Sequence, residues 1–429
     1  MALSFTVKDA HTIMTLMGRM ATGNEQLTVV DATGFVSTGT TIKQMGTETV
    51  FNVLSTVFNR LIVASRAYKR NLYLMDSMDT GVYSALIRKI SFYSDDPMPT
   101  GASNTDLFTN FAEGFTAGQN GTDPVSGDPV STKSQWEQHR KVPLEMSFVS
   151  QAEWQYGITL DEDRIEVAFR NEEEFNRYFA GYLEEHANDI ETTHEAWNRL
   201  ALLNKVASIY AMRSDMNGAA IDLVAAYNAK YGTSYTGTQL RTTYRKEFLA
   251  FFVATIKQVS SYMTERNKLY HWDVPKTING VQQSILRHTP YDKQRFYLYD
   301  RFFIDAESEV LPEIFHDDRL DIKKQYQPVT FWQAISSATS GDARAQINFK
   351  PVITNTSTGA QETAANAVVL PYVLGLICDV DALMTNFELD RVDTTVPEAR
   401  KHYRNTWNTF RRGAVLDPTE KAVLLYMAS

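Results

Sequence analysis

The residues best placed to do chemistry in this chain are two Glu-x-x-His pairs, Glu191/His194 and Glu313/His316. On facing helices of a bundle, such pairs can hold a di-iron carboxylate centre, because residues three apart share one helix face. With eight histidines and glutamate at ordinary abundance, about half a match arises by chance, so two is a small excess. The second pair follows Pro312 on a short segment, and bridging glutamates from two further long helices are not evident. The run His194-Glu195-Ala196-Trp197-Asn198 begins like the zinc-protease motif HExxH. Asn198 stands where the second imidazole must be, and an amide does not replace that ligand. His186 and His194 read more simply as helix-flank residues hydrogen-bonded to neighbours. The single cysteine, Cys378, ends an apolar strand and reads as a buried, inert thiol.

The phosphate-binding loops fail as well. There is no GxGxxG, no glycine is followed by lysine, and the nucleophile elbow GxSxG is missing. Asp161, Glu162 and Asp163 sit on an expected turn and read as a solvated face. The sequence therefore assigns no catalytic residue, no cofactor and no metal ligand, and an enzyme is not expected.

The elements around these residues are more telling. Asn171 can cap a helix, with Glu174 at the capping-box position and Glu172 and Glu173 complementing the positive helix end. Phe175, Tyr178, Phe179, Tyr182, Ile190, Trp197, Leu200 and Ala201 then mark one apolar face, mostly at spacings of three and four. This predicts a helix over 172–204, about 50 Å long, against a usual length near 11 residues. Phe175, Tyr178, Tyr182, Ile190 and Trp197 are its expected core contacts. A second helix is expected over 241–264, with Phe248, Phe252, Ile256 and Val259 buried. A short amphipathic helix is expected over 51–62, and the basic residues after it (Arg66, Lys69, Arg70) read as a solvated helix end.

Before the long helix, Tyr83–Tyr93 and Val142–Phe148 alternate as strands do and flank an unusual stretch. Residues 95–134 hold five of the 21 glycines and four of the 13 prolines, with Lys133 the only basic residue. Loops beyond about 12–15 residues are uncommon in compact domains. Its apolar anchors, Leu107, Phe108, Phe111 and Phe115, are expected to serve as assembly contacts on a neighbour. After Trp272 short strands are expected at 295–299, 326–331, 347–353 and 368–376 around a helix near 306–316, with a closing strand at 422–427. The fold class is α+β.

Composition sets outer bounds. The chain has 429 residues and is 43% hydrophobic, enough for a sizeable core. Its formal charge of −9 argues against a dedicated nucleic-acid binder. One cysteine excludes an intrachain disulfide and a CxxC centre. Lys8, Asp9 and His11 interrupt any secretory h-region, and the longest apolar run, 367–378, is too short to span a membrane. A soluble, non-secreted protein is expected.

This order of elements resembles the major capsid protein of tailed bacteriophages, the Hong Kong 97-type fold shared with encapsulins and the herpesvirus capsid floor. Local phrases are similar to its short-tailed phage branch. Phe296–Tyr299 with Glu309–His316 resembles an axial-domain strand and helix, and Asp379–Thr385 resembles the return segment. Tyr403–Trp407 with Asp417–Val423 resembles the closing hairpin. The resemblance implies an N-terminal arm at 1–82 and an extended loop at 83–160. It implies a peripheral domain at 161–272 holding the spine helix, an axial domain at 273–378, and a return to the peripheral domain at 379–429. It further implies an icosahedral shell of hexamers and pentamers enclosing double-stranded DNA without specific contacts. Portal and scaffolding proteins would be partners, with no membrane, and assembly in the host bacterial cytoplasm would deliver the chain to the virion. The alternatives are an encapsulin-type compartment shell protein and, in another class, the di-iron enzyme.

Overall fold

The helices and sheets below come from a computed structural model that describes residues 11, 14–16, 18–19, 26–44, 72, 76–79, 87–94, 141–148, 152–161, 172–278, 281–309, 326–333, 343–396 and 403–428. In chain order the helices are α1 (Ala32–Gln44), α2 (Glu172–Ala211), α3 (Leu223–Tyr231), α4 (Gly237–Thr242), α5 (Arg245–Thr264) and α6 (Asp300–Glu309). The strands are β1 (Asp76–Asp79), β2 (Ile87–Phe92), β3 (Pro143–Phe148), β4 (Ala152–Asp161), β5 (Ala220–Asp222), β6 (Lys276–Ile278), β7 (Val281–Gln283), β8 (Gln294–Tyr299) and β9 (Tyr326–Val329). They continue with β10 (Ile347–Phe349), β11 (Val352–Thr354), β12 (Gln361–Thr363), β13 (Val368–Leu370), β14 (Tyr372–Asp379), β15 (Leu383–Thr394), β16 (Tyr403–Leu416) and β17 (Ala422–Met427). The fold is α+β.

Helix α2 spans 40 residues, about 60 Å at 1.5 Å per residue. It runs seven residues past the expected end at 204, because nothing in Lys205–Ala211 breaks a helix. Past Ala211 the chain runs through turns that end where Asn217 and Gly218 take positive φ (30° and 77°). From Ala201 to Ser208 every side chain is buried. A helix apolar on all sides must be covered on all sides. Here α2 touches β15 and β16 of one sheet and β17 of another.

The first of these sheets has the order β1-β15-β16-β4. The antiparallel pair β15–β16 runs from Leu383↔Leu416 to Thr394↔Thr406 with one bulge near Phe387. Strand β16 then pairs antiparallel with β4 over ten residues in unbroken register. The second sheet has the order β5-β17-β14-β8-β9. Every residue of β14 and β17 is buried, as expected of continuous apolar runs in central strands. Its strands come from both sides of residue 273 and from the terminal segment. Helices α3, α5 and α6 join the same core, with Tyr227, Phe248, Phe251, Phe252 and Phe302 in mutual edge contacts.

Several boundaries differ from expectation. The helix expected over 241–264 is two, because Thr236 and Gln239 form a capping box that starts α4 and the chain re-enters helix at Arg245. The helix expected at 306–316 begins instead at Asp300, directly after β8. The strands expected at 347–353 and 368–376 are each split, at Lys350–Pro351 and at Pro371. The helix expected over 51–62 lies outside the described residues.

Candidate assembly arm and its anchor

The two strands expected to flank the long loop pair with each other. Strands β2 and β3 form an antiparallel ribbon from Ile87↔Phe148 to Phe92↔Pro143. Alternation then divides the ribbon into faces. Ser91, Tyr93 and Phe148 are buried, while Ile90 and Phe92 are 61% and 57% exposed. The described ribbon therefore lies with one face on the body of its own chain and its other face, apolar at Ile90 and Phe92, outward.

Its buried face is held by polar groups. Lys89 on β2 reaches across 328 residues to the carboxylates of Asp417 and Glu420 in the turn between β16 and β17. Arg287 donates to Ser91 Oγ at 2.5 Å and to the Thr419 carbonyl at 3.2 Å, and its guanidinium lies 3.4 Å from Glu420. One backbone bond finishes the seam, Ser94 N–H to the Ser284 carbonyl, while Tyr93 N–H to the Val142 carbonyl extends the β2–β3 ladder.

Burial alone would pull the Lys89 ammonium down, yet the two carboxylates outweigh it and leave its pKa raised. Asp417 is fully buried, which would raise its carboxyl; Lys89 and the donors of Thr419 more than offset this and lower it. Glu420 goes the other way, since burial raises it further than Lys89 and Arg287 lower it. Two more lysines stand behind the turn. Lys205 of α2 donates to the Asp417 carbonyl at 2.7 Å, and burial depresses it to about 8. Lys421 donates to the Glu265 carbonyl and to Asn267 Oδ1, both at 2.7 Å, and is also lowered by burial to about 8. The turn 417–421 thus binds the ribbon, α2 and the end of α5 together. Sequence reading passed over Lys89, Arg287, Asp417 and Glu420, because ion pairs so distant in sequence leave no local pattern.

The residues predicted to matter are distributed as follows. Leu107, Phe108, Phe111 and Phe115 lie outside the described residues, as do the side chains of Phe175, Tyr178 and Tyr182. Ile190 and Trp197 are on α2 and half-buried. The Trp197 ring meets Trp154 of β4 edge-on at 6.1 Å. Trp197 also lines an apolar groove of about 230 Å³ with Leu200, Met212, Phe349 and Leu416. Of the Glu-x-x-His residues, His194 stacks beside Phe410 at 5.2 Å, and Glu313 and His316 lie outside the described residues. Among the described residues no three of His, Cys, Asp and Glu are grouped to hold a metal, and no helix is long and apolar enough to cross a membrane. Cys378 is buried, and that burial pushes its thiol up to about 12.

No protein-family model and no curated protein matches this chain. Among solved structures it is similar to the capsid structure of Staphylococcus phage Andhra, at 10% identity, covering 83% of this chain and 84% of that one with a TM-score of 0.46. It is similar to the capsid structure of cyanophage P-SCSP1u, at 14% identity over 84% and 87% of the two chains with a TM-score of 0.38. The asymmetric unit of the bacteriophage PhiM1 mature capsid is likewise similar, at 9% identity over 84% and 88% with a TM-score of 0.38. Each of these three similarities extends along most of this chain.

Proposed function

We propose that this chain is the major capsid protein of a tailed bacteriophage, with copies that assemble into an icosahedral shell around double-stranded DNA. The observation that carries the reading is the succession along one chain: a two-stranded ribbon whose strands lie 50 residues apart in sequence, then a 40-residue helix clasped between two sheets. A helix about 60 Å long and an arm pinned at its base suit a subunit that must span and overlap its neighbours. The role is structural, and its chemistry is that of contacts between copies.

In this reading the ribbon and residues 95–134 are the extended loop, α2 is the spine, and the sheet β1-β15-β16-β4 is the peripheral layer. The sheet β5-β17-β14-β8-β9 with α3, α5 and α6 is the axial layer, a division that differs from the expected one by taking β5, α3, α5 and β17 out of the peripheral segments 161–272 and 379–429, because they share a core with β8 and β14. Assembly takes place in a bacterial cytoplasm, and portal and scaffolding proteins act as partners.

Replacing residues 100–131 by a short Gly-Ser turn tests the reading. The variant is expected to melt as wild type does and to form no closed shells by electron microscopy, and protease is expected to cut between Pro97 and Lys133 in free subunits only. A wild-type chain that stays monomeric under every assembly condition, co-expressed with its neighbouring genes, overturns the reading.

A further inference from the structure

The groove beside Trp197 is lined unevenly. Helix α2 supplies one wall, Phe349 and the β11–β12 hairpin supply the other, and Leu416 and Pro418 close the end where β16 gives way to the turn. The walls are mainly apolar, and Leu200 and Val352 keep 45% and 42% of their surface exposed. The lining includes no carboxylate and one cation, Lys205. Small-molecule sites share this make-up, apolar walls with a few polar groups that fix orientation.

The polar groups along the groove are not equally spent. Asn204 Oδ1 accepts from the Val352 N–H at 2.8 Å, its Nδ2 donates to the Val352 carbonyl at 3.3 Å, and Ser208 Oγ donates to the Lys205 carbonyl at 2.8 Å. Lys205 is 1% exposed, and among the described residues its ammonium makes one hydrogen bond, to the Asp417 carbonyl. An ammonium carries three donors, so two are left over. Both chain neighbours of that carbonyl line the groove, which sets the ammonium at its closed end. Trp197 Nε1, on the same helix, is buried with no hydrogen-bond partner among the described residues. The nearby carboxylates are committed elsewhere, Asp417 to Lys89 and Thr419, Glu420 to Lys89 and Arg287. The groove offers donors and one positive charge, and it lacks an acceptor.

We propose that this groove is a binding site for a small amphipathic carboxylate, an unbranched apolar chain of about eight carbons whose head group meets the Lys205 ammonium. Size sets the chain length. The groove encloses about 230 Å³, roughly half again the ~150 Å³ that accepts benzene, which suits about ten non-hydrogen atoms. Charge sets the head group. A carboxylate accepts charge-assisted hydrogen bonds from the ammonium, an alcohol forms only weaker ones, and an amine brings a second positive charge. Seated so, the ligand ties α2, the hairpin and the turn 417–421 together within one subunit, and the inference stands whatever that subunit assembles into.

Calorimetric titration of the wild-type protein with octanoate, octanol and octylamine reads the head-group preference. Octanoate is expected to bind about tenfold tighter than octanol, and octylamine more weakly than either. Lys205→Met keeps the apolar stem and is expected to bring octanoate down to the level of octanol, with octanol unchanged. Because Lys205 is buried, a second measurement uses the wild type alone. A photoreactive diazirine analogue of octanoate is expected to label peptides from 197–212, 349–354 and 414–418, and excess octanoate to suppress the labelling. Octanoate binding no tighter than octanol or octylamine, or labelling that falls outside those peptides, overturns the inference. A folded Lys205→Met variant that keeps the preference for octanoate overturns it as well.

Discussion

Lys89→Met removes the cation that ties the arm to the body and keeps most of its aliphatic stem. It leaves Asp417, with no exposed surface, and Glu420, 7% exposed, to share their charge without it. Taking one partner from a buried ion pair typically costs ~3–5 kcal/mol. Three features of this site bring the cost to the bottom of that range or below it. Asp417 keeps the N–H and hydroxyl of Thr419 at 2.8 and 2.7 Å, Glu420 keeps Arg287 at 3.4 Å, and the Lys89 side chain is 24% exposed. The expected loss is ~2–3 kcal/mol. That corresponds to a fall of about 2–3 °C in melting temperature in a chain of 429 residues. Urea unfolding measures it directly, and hydrogen exchange at 87–94 separates release of the arm from global unfolding. Adding Glu420→Gln to Lys89→Met is expected to recover about 1 kcal/mol by removing an uncompensated charge. A Lys89→Met subunit within about 0.5 kcal/mol of wild type, with unchanged exchange in β2, refutes the anchor. The sign against pH follows from the raised Lys89 pKa. Its contribution is complete below its ordinary value of 10.5 and is lost as pH rises through the folded value.

Other perturbations have equally definite outcomes. Gly375→Ala places a methyl 2.5 Å from Leu298 Cδ2 and 3.0 Å from the Tyr297 carbonyl in the middle of the five-stranded sheet, so denaturant unfolding should show a loss of ~1–3 kcal/mol. His186 is buried against Asn408 and Tyr156, and burial lowers its pKa to about 4 from 6.5. Stability should therefore fall as pH drops from 6.5 toward 4, and His186→Gln should flatten that slope in thermal melts. Trp197→Ala should cost less than the ~3–5 kcal/mol of a fully buried ring, because Trp197 is only half-buried beside its groove; a loss within that range in urea unfolding would place it in the core.

How much of this was readable in advance depended on distance along the chain. Helix α2 was legible because spacings of three and four and the lack of helix breakers are local signals, and β14 and β17 because continuous apolar runs bounded by turn residues need no partner to be recognised. The strand pair around the long loop was legible by alternation, although not that one of its faces would rest on its own body. Strands β15 and β16 were poorly legible. Their buried face carries Arg404, Thr406, Asn408 and Arg412, polar residues that look solvent-facing in sequence and become interior only when α2 lies across them.

The sequence by itself determined the element types and the long helix, since those depend on spacings of two, three and four residues. It also determined the contrast between an apolar body and a glycine- and proline-rich excursion, which is a matter of composition. Only the tertiary structure decided which strands share a sheet, that Lys89 meets Asp417 and Glu420, and that Arg287 meets Glu420 and Ser91. Those are pairings between residues hundreds of positions apart, set by how buried surfaces fit and how buried charges find partners, and no local pattern encodes either.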